Sequence, residues 1–278
     1  MKNFEYFKPS TLKEASELLI KKGANAHILN GGTDLIIRMK EGITSPDVVV
    51  DIKGIKELHN IKFDEKEGLF VGACVVLNDM AHNQIVKEKY KVLSNAAKSV
   101  GSGQIRNKAT MTGNICNASP LADTSTPLLA LDAKVLVYGP NGEREIPINE
   151  LFVWVRKVSL EHGEIVKGVR IPAYENIIGD FQKISRRKEV DLSTVASTVV
   201  KINDEIRIAL ASVAPTPIRA RKAESFIKGK KLTDEVIEEA AKIAASEASP
   251  IEDVRASKEY RIEMIKIAVK RNLNAVRS

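Results

Sequence analysis

Residues 28 to 35 read Ile-Leu-Asn-Gly-Gly-Thr-Asp-Leu, residue types that suit a backbone meant to be approached closely. Adjacent Gly31 and Gly32 remove two side chains, so successive N–H groups can converge on an anion. A short helix over LIIRMKEG, starting just after them, would add its positive end at the same point. Thr33 brings a hydroxyl donor. The same residues also describe a plain turn between a strand and a helix, and they lack the GxGxxG spacing of a Rossmann loop. On this stretch alone both readings stand.

A second stretch, GSGQIRNKATMTGNICNASPLADTSTPLLAL over residues 101–131, holds three glycines and, from Thr110 to Pro127, six serines or threonines. Asn107, Asn114, Asn117 and Asp123 add further polar groups. So many small hydrogen-bonding side chains do not make a core. Ile105, Ile115, Leu121 and Leu128 recur too regularly for a floppy linker. The stretch reads as a long ordered loop of the kind that binds a ligand, with an inert irregular loop as the alternative.

Metal chemistry is poorly supplied. The chain has two cysteines, Cys74 and Cys116, without a CxxC pair, and four scattered histidines at 27, 59, 82 and 162. An iron–sulfur cluster or structural zinc needs about four soft ligands. Any redox group must therefore come from outside the polypeptide, and no metal is expected in this chain.

The elements that must position these loops can be read from periodicity. Thr11 with Glu14 forms a capping box ahead of LKEASELLIKK, and Gly23 ends that helix. HILN is a short strand, and PDVVVDIK a buried one. Further on, GLFVGACVVL reads as a strand and IVKEKYKVLSNAAKSV as one amphipathic helix. LDAKVLVYGPNGEREIPINELF reads as a hairpin turning at Gly139–Gly142, and GEIVKGVRIP and EIRIALASV as further strands. From Arg219 onward LTDEVIEEAAKIAASEA and SKEYRIEMIKIAVKRNLNAV carry apolar stripes at helical spacing, a helical unit that packs on the sheet or on a partner.

Composition limits the function classes. With 44% hydrophobic and 28% charged residues over 278 positions, the chain is an ordinary globular protein of two or three domains. No apolar run approaches the roughly 18 residues of a membrane span. The opening MKNFEYFKPS lacks a signal-peptide pattern, so a cytoplasmic location is expected. The net charge is +7, but no block of five like charges appears, which argues against a nucleic-acid partner. A positive field suits an anionic cofactor or an acidic partner subunit.

GGTDLIIRMK together with QIRNKATMTGNICNASPLADTSTPLLALDAKV resembles the FAD-binding (medium) subunits of the molybdenum hydroxylases, the family of xanthine and carbon monoxide dehydrogenases. The resemblance continues through FQKISRRKEVDLSTVA, IRARKAESFIKGKKL and EDVRASKEYRIEM, and so covers essentially the whole chain in family order. It implies an α+β fold: a two-subdomain FAD-binding fold of the PCMH (vanillyl-alcohol-oxidase-like) type over residues 1–54 and 55–172, then a small α/β C-terminal domain over 173–278.

It also implies cofactor contacts. The FAD pyrophosphate maps to Ile28, Leu29, Asn30, Gly31, Gly32, Thr33, Asp34 and Leu35. A second set of contacts maps to Thr110, Met111, Thr112, Gly113 and Asn114. Asp123 falls near the ribose or phosphate end, and a carboxylate suits a sugar hydroxyl better than a phosphate. Val166 and Lys183 fall beside the flavin ring, with Gln182 as the alternative to Lys183. No histidine or cysteine lies in 28–35 or 104–114, so the FAD is expected to be non-covalent. The cysteine count argues against the additional iron–sulfur cluster of some members.

The implied role is electron transfer. A molybdopterin-binding large subunit and a small subunit with two [2Fe–2S] clusters would be the partners, in a dimer of heterotrimers. Electrons would leave to NAD or another acceptor. The expectation is a xanthine dehydrogenase-like complex in which this chain supplies no catalytic residue of its own. Two alternatives stand beside it: a self-sufficient flavin oxidoreductase of the same fold, and a non-enzymatic nucleotide- or nucleic-acid-binding module.

Overall fold

Val48, Val49 and Val50 are all buried, and they form the centre of the first sheet. In the computed structural model, which describes residues 1–277, strand β1 (Glu5–Phe7) and strand β2 (Ala26–Leu29) pair in parallel with the two sides of β3 (Val48–Asp51). A parallel strand covered on both faces must be apolar throughout, which explains the unbroken β-branched run. The helix Leu12–Lys22 packs on this sheet through Leu12, Ala15 and Leu19. Its capping box is displaced by one residue. Thr11 Oγ1 accepts from Glu14 N, but the Glu14 carboxylate reaches back to Ser10 N rather than to Thr11.

The second sheet is antiparallel. It comprises β4 (Ile61–Asp64), β5 (Gly68–Gly72), β6 (Lys134–Gly139) and β7 (Gly142–Pro147). After the short ribbon β8 (Phe152–Trp154) and β9 (Lys157–Val158) comes β10 (Ile165–Ile171), and the order across the sheet is β4-β5-β10-β6-β7. The strand read over GLFVGACVVL stops at Gly72. A Cβ there would stand 2.4 Å from the Leu58 carbonyl, and Val75 N returns to Gly72 O in a turn. The single helix read over IVKEKYKVLSNAAKSV is two, Gln84–Lys89 and Lys91–Ser99. They break at Tyr90 (φ −134°, ψ 50°), whose ring is buried and whose hydroxyl donates to Pro172 O at 2.9 Å. Burying an aromatic ring with its hydroxyl satisfied outweighs the loss of one helical turn.

The long loop expected over 101–131 is largely helical. Gly103–Arg106, Met111–Cys116 and Ser125–Ala130 are short helices, the first two capped by Ser102 and Thr110. Their hydroxyl-rich composition is in part a succession of caps and turns.

The third sheet, β11 (Ile177–Ile184), β12 (Val195–Ile202), β13 (Glu205–Ala211) and β14 (Ile218–Arg219), is antiparallel in that order. The helices Arg221–Ile227, Asp234–Ser246 and Lys258–Ala275 close one face around their own apolar core. The other face meets the core of the second sheet through Val200, Ile202 and Ala209. The C-terminal helical stripes thus pack on a sheet of the same chain. Strands β1, β4, β8, β9, β11, β12 and β14 have no counterpart among the strands read from the sequence; β1, β8, β9 and β14 are two or three residues long, β4 and β11 lie at sheet edges, and β12 begins in the last two residues of FQKISRRKEVDLSTVA and runs on through STVVKI.

Candidate functional site

The two loops meet. A cleft of about 610 Å³ lies between the end of β2, the helix Met111–Cys116 and strand β10, and both chemistry-bearing stretches line it. One wall is apolar, made by Ile28, Ile52, Ile105, Leu160, Ile165 and Val166. The rest of the lining is mostly polar, with the Asn30–Asp34 loop as one part of it.

Gly31 to Asp34 form the polar pole of the cleft. Among the described residues, the N–H groups of Gly31, Gly32, Thr33 and Asp34 donate to no protein acceptor. These four residues are half-buried, so their donors are open to water or to a ligand entering the cleft. Two constraints hold the loop in this shape. Gly32 has φ +75°, the left-handed region that side chains resist. At Gly31 a Cβ would lie 2.1 Å from the carbonyl oxygen of Lys108, so the first loop can rest on the second only with glycine there. Asn30 anchors the near end, its amide donating to Ala73 O at 2.7 Å, while its own Oδ1 is buried without a partner.

The second loop contributes Thr110, Thr112, Gly113 and Asn114 to the lining. Thr110 caps its helix by accepting from Gly113 N at 2.9 Å, and Asn114 Oδ1 accepts from the Thr124 hydroxyl at 2.7 Å. Thr112 differs: its hydroxyl is buried and has no protein partner. Free N–H groups, with a threonine hydroxyl and an amide oxygen buried without partners among the residues that line the same cleft, fit a ligand rich in phosphate and ribose hydroxyl groups. The apolar wall fits a planar ring system.

Of the residues mapped from the sequence, Ile28, Asn30 to Leu35, Thr110, Thr112, Gly113, Asn114 and Val166 line the cleft. Val166 sits where the β10–β6 register shifts, a bulge that re-aims its side chain. Four others lie outside the lining. Leu29 closes strand β2, and Met111 is buried in the core of the second sheet. Asp123 and Lys183 pair with each other at 2.7 Å, behind the lining, with both side chains largely buried. Lys183 also donates to Ser99 O at 2.9 Å, and Ser193 Oγ bonds Asp123 Oδ1. Burial pushes the Asp123 carboxyl above the ordinary carboxylate range, opposed by the Lys183 ammonium and the Ser193 hydroxyl.

The structure adds residues that sequence reasoning missed. Arg38, Asn117 and Arg156 line the polar pole, and His27 and Cys116 flank the two loops on the cleft wall. Burial and the nearby Arg38 charge lower the His27 pKa, which keeps the ring neutral, and burial raises the Cys116 thiol to about 12. A thiol that reluctant to ionise is a poor nucleophile. Asn117 had been noted only as a polar residue of the second stretch. Arg156 lies 122 residues from Asp34 and carried no signal at all.

Comparison with known proteins decides the family. Residues 2–174 match the model for the FAD binding domain in molybdopterin dehydrogenase, and residues 180–276 match the CO dehydrogenase flavoprotein C-terminal domain. The chain belongs to the FAD-binding subunits of the molybdenum hydroxylases. It is 34% identical to the carbon monoxide dehydrogenase medium chain of Hydrogenophaga pseudoflava, over 98% of this chain and 96% of that one. It is 33% identical to the xanthine dehydrogenase FAD-binding subunit of Escherichia coli O157:H7, over 96% of this chain and 93% of that one. In structure, the Hydrogenophaga enzyme superposes with a TM-score of 0.94 at 35% identity, covering 99% of this chain and 97% of that chain.

Proposed function

We propose that this chain holds FAD non-covalently in the cleft and serves as the electron-transfer subunit of a heteromeric molybdenum hydroxylase. The observation that carries this reading is the row of N–H groups from Gly31 to Asp34 that no described residue accepts, in a loop that lines the same cleft as Thr112, whose buried hydroxyl has no partner among the described residues. In this assignment Gly31, Gly32, Thr33 and Asp34 take the diphosphate through backbone donors. Thr112 supplies a hydroxyl, and Val166 and the apolar wall exclude water from the ring. FAD, when bound, accepts electrons singly and releases them in pairs. The residues around it bind and orient; none is assigned a proton-transfer role. Asp123 and Lys183 are assigned to position the floor of the ring site from behind rather than to the ribose.

The partners in this reading are a molybdopterin-binding large subunit and a small [2Fe–2S] subunit that delivers electrons, with NAD or another acceptor removing them and a dimer of heterotrimers as the assembly. Support comes from the relatives, which are named as medium chains or FAD subunits of carbon monoxide and xanthine dehydrogenases. No helix among the described residues is long and apolar enough to cross a membrane, and the cytoplasm is the proposed location. Residues 1–54, 55–172 and 173–278 are proposed as its three structural units, each built around one main sheet.

Purification with FAD tests the first part directly. The chain should show a flavin spectrum, and denaturation should release all the flavin into the filtrate. A colourless chain that takes up no FAD overturns the proposal, and flavin retained on the denatured chain overturns the non-covalent assignment. In the assembled complex, substrate should bleach the flavin absorbance, and NAD should restore it if NAD is the acceptor.

A further inference from the structure

The polar pole of the cleft contains one charge cluster, and it is unbalanced. Asp34, in the glycine loop, carries one carboxylate. Arg156 Nη1 lies 3.2 and 3.3 Å from its two oxygens, and Arg38 Nε lies 3.9 Å away. All three side chains line the cleft, and His27, the other titratable base there, is held neutral. Two guanidinium groups therefore share one carboxylate, which leaves an excess of one positive charge beside the free backbone donors.

Arg156 is delivered to this point with unusual care. It sits in the two-residue turn Val155–Arg156 at the tip of the β8–β9 ribbon, which belongs to a different part of the chain from either loop. Its φ is +61°, a left-handed conformation in a residue that is not glycine. Such a conformation persists only when its surroundings overdetermine it. Here they do. Arg156 N donates to Ala118 O at 2.8 Å, and Arg156 Nη1 also bonds Asn117 Oδ1. Asn117 Nδ2 in turn donates to Asp34 Oδ2 at 3.0 Å. Asp34 occupies the N-cap position of the helix Leu35–Lys40 yet makes no capping bond; its carboxylate is committed to Arg156 and Asn117 instead. Among the described residues, every hydrogen bond of the Arg156 side chain goes through Nη1. Its Nε and Nη2 groups have no protein partner among the described residues, and the side chain, which lines the cleft, is partly exposed.

We infer that Arg156 is a ligand of the cofactor's diphosphate, reaching it with Nε and Nη2, and that Asp34 and Asn117 are positioning residues that aim its guanidinium. A planar fork with two free donors matches phosphate oxygens, and its charge answers the diphosphate's. The ribbon then straps the cleft through an ionic contact to the ligand itself, joining the glycine loop, the second loop and the second sheet around one anion. This inference rests on the FAD reading above.

The full-length chain, stripped of flavin, is titrated with FAD, and ADP is used as a displacer, for the wild type and for Arg156→Gln and Arg156→Lys. The expected result is a rise of about tenfold or more in the FAD Kd for Arg156→Gln, with a matching loss of ADP affinity. Arg156→Lys, which keeps the charge but not the fork, should fall between. The dependence of the FAD Kd on salt should be flatter in Arg156→Gln than in the wild type, a change that a merely structural role would not produce. An FAD Kd within twofold of wild type overturns the inference. So does weakened FAD binding with an unchanged salt dependence. Failure of the wild-type chain to bind FAD at all would instead overturn the functional proposal and is distinguished by that control.

Discussion

The cleft's polar pole and the Asp123–Lys183 pair behind it are both rich in polar groups, and they treat those groups in opposite ways. Around Asp123 every partner is internal: Lys183 at 2.7 Å, Ser193, and the Ser99 carbonyl on the lysine. At the pole, four backbone donors and the Thr112 hydroxyl have no partner among the described residues. A closed network holds elements together, and its loss is a stability event. An open one leaves donors free for water or a ligand, which is what a binding surface requires. The difference separates two mapped residues that pair with each other outside the cleft lining from those that line it.

The sharpest way to break this comparison is at Gly31. Gly31→Val places a side chain against the Lys108 carbonyl and should abolish FAD binding, read as loss of the flavin spectrum, while circular dichroism reports whether the fold survives. The closed network should respond in the other observable. Lys183→Met strands the Asp123 carboxylate, and breaking a buried pair in this way costs about 3–5 kcal/mol. Differential scanning calorimetry should show a large drop in Tm. The double change Asp123→Asn with Lys183→Met should recover much of it, whereas a recovery of nothing would mean that the pair is not coupled.

Thr112→Val tests the open side. Removing a buried hydroxyl that has no protein partner should leave the Tm of the flavin-free chain unchanged or slightly higher. The FAD affinity should fall by about threefold to tenfold, the worth of one net hydrogen bond. A fall in Tm with unchanged FAD affinity would reverse the assignment.

The smallest effect concerns pH. Glu164 accepts from Arg144 Nε at 2.6 Å and Nη2 at 2.8 Å, and this ion pair, together with the Glu161 N–H, holds its carboxyl below the ordinary glutamate range against the opposing effect of burial. A depressed carboxylate stabilises the fold above its unfolded-state pKa, and the contribution disappears as pH falls through the lower folded value. The Tm should therefore decline on acidification below about pH 4.5, the usual glutamate range. Glu164→Gln should flatten that decline modestly, because Arg144 is itself partly solvated.

Much of the fold was legible from local pattern. The valine run of β3, the glycine-terminated first helix and the Gly139–Gly142 hairpin each follow from periodicity and turn chemistry within a few residues. The misreadings have a common cause. GLFVGACVVL has the composition of one long strand, but Gly72 must approach the Leu58 carbonyl, and the chain turns there. Tyr90 breaks a helix that periodicity would continue, because its ring and hydroxyl find a better place between the helix pair and Pro172. Both decisions are made by contacts distant in sequence.

The site divides the same way. Glycine pairs, threonines and asparagines mark the two loops in the sequence because free backbone donors and close approach require those residue types wherever they occur. That requirement is local, so the amino-acid order was enough to find ILNGGTDL and TMTGN. Whether Asp123 pairs with a lysine 60 residues away, and whether an arginine from a ribbon 122 residues away reaches Asp34, depends on which surfaces the three sheets bring together. Long-range pairing of charges leaves no periodic or compositional trace in a single sequence, since an arginine reads the same whether it meets solvent or a carboxylate. Only the tertiary structure could decide between them.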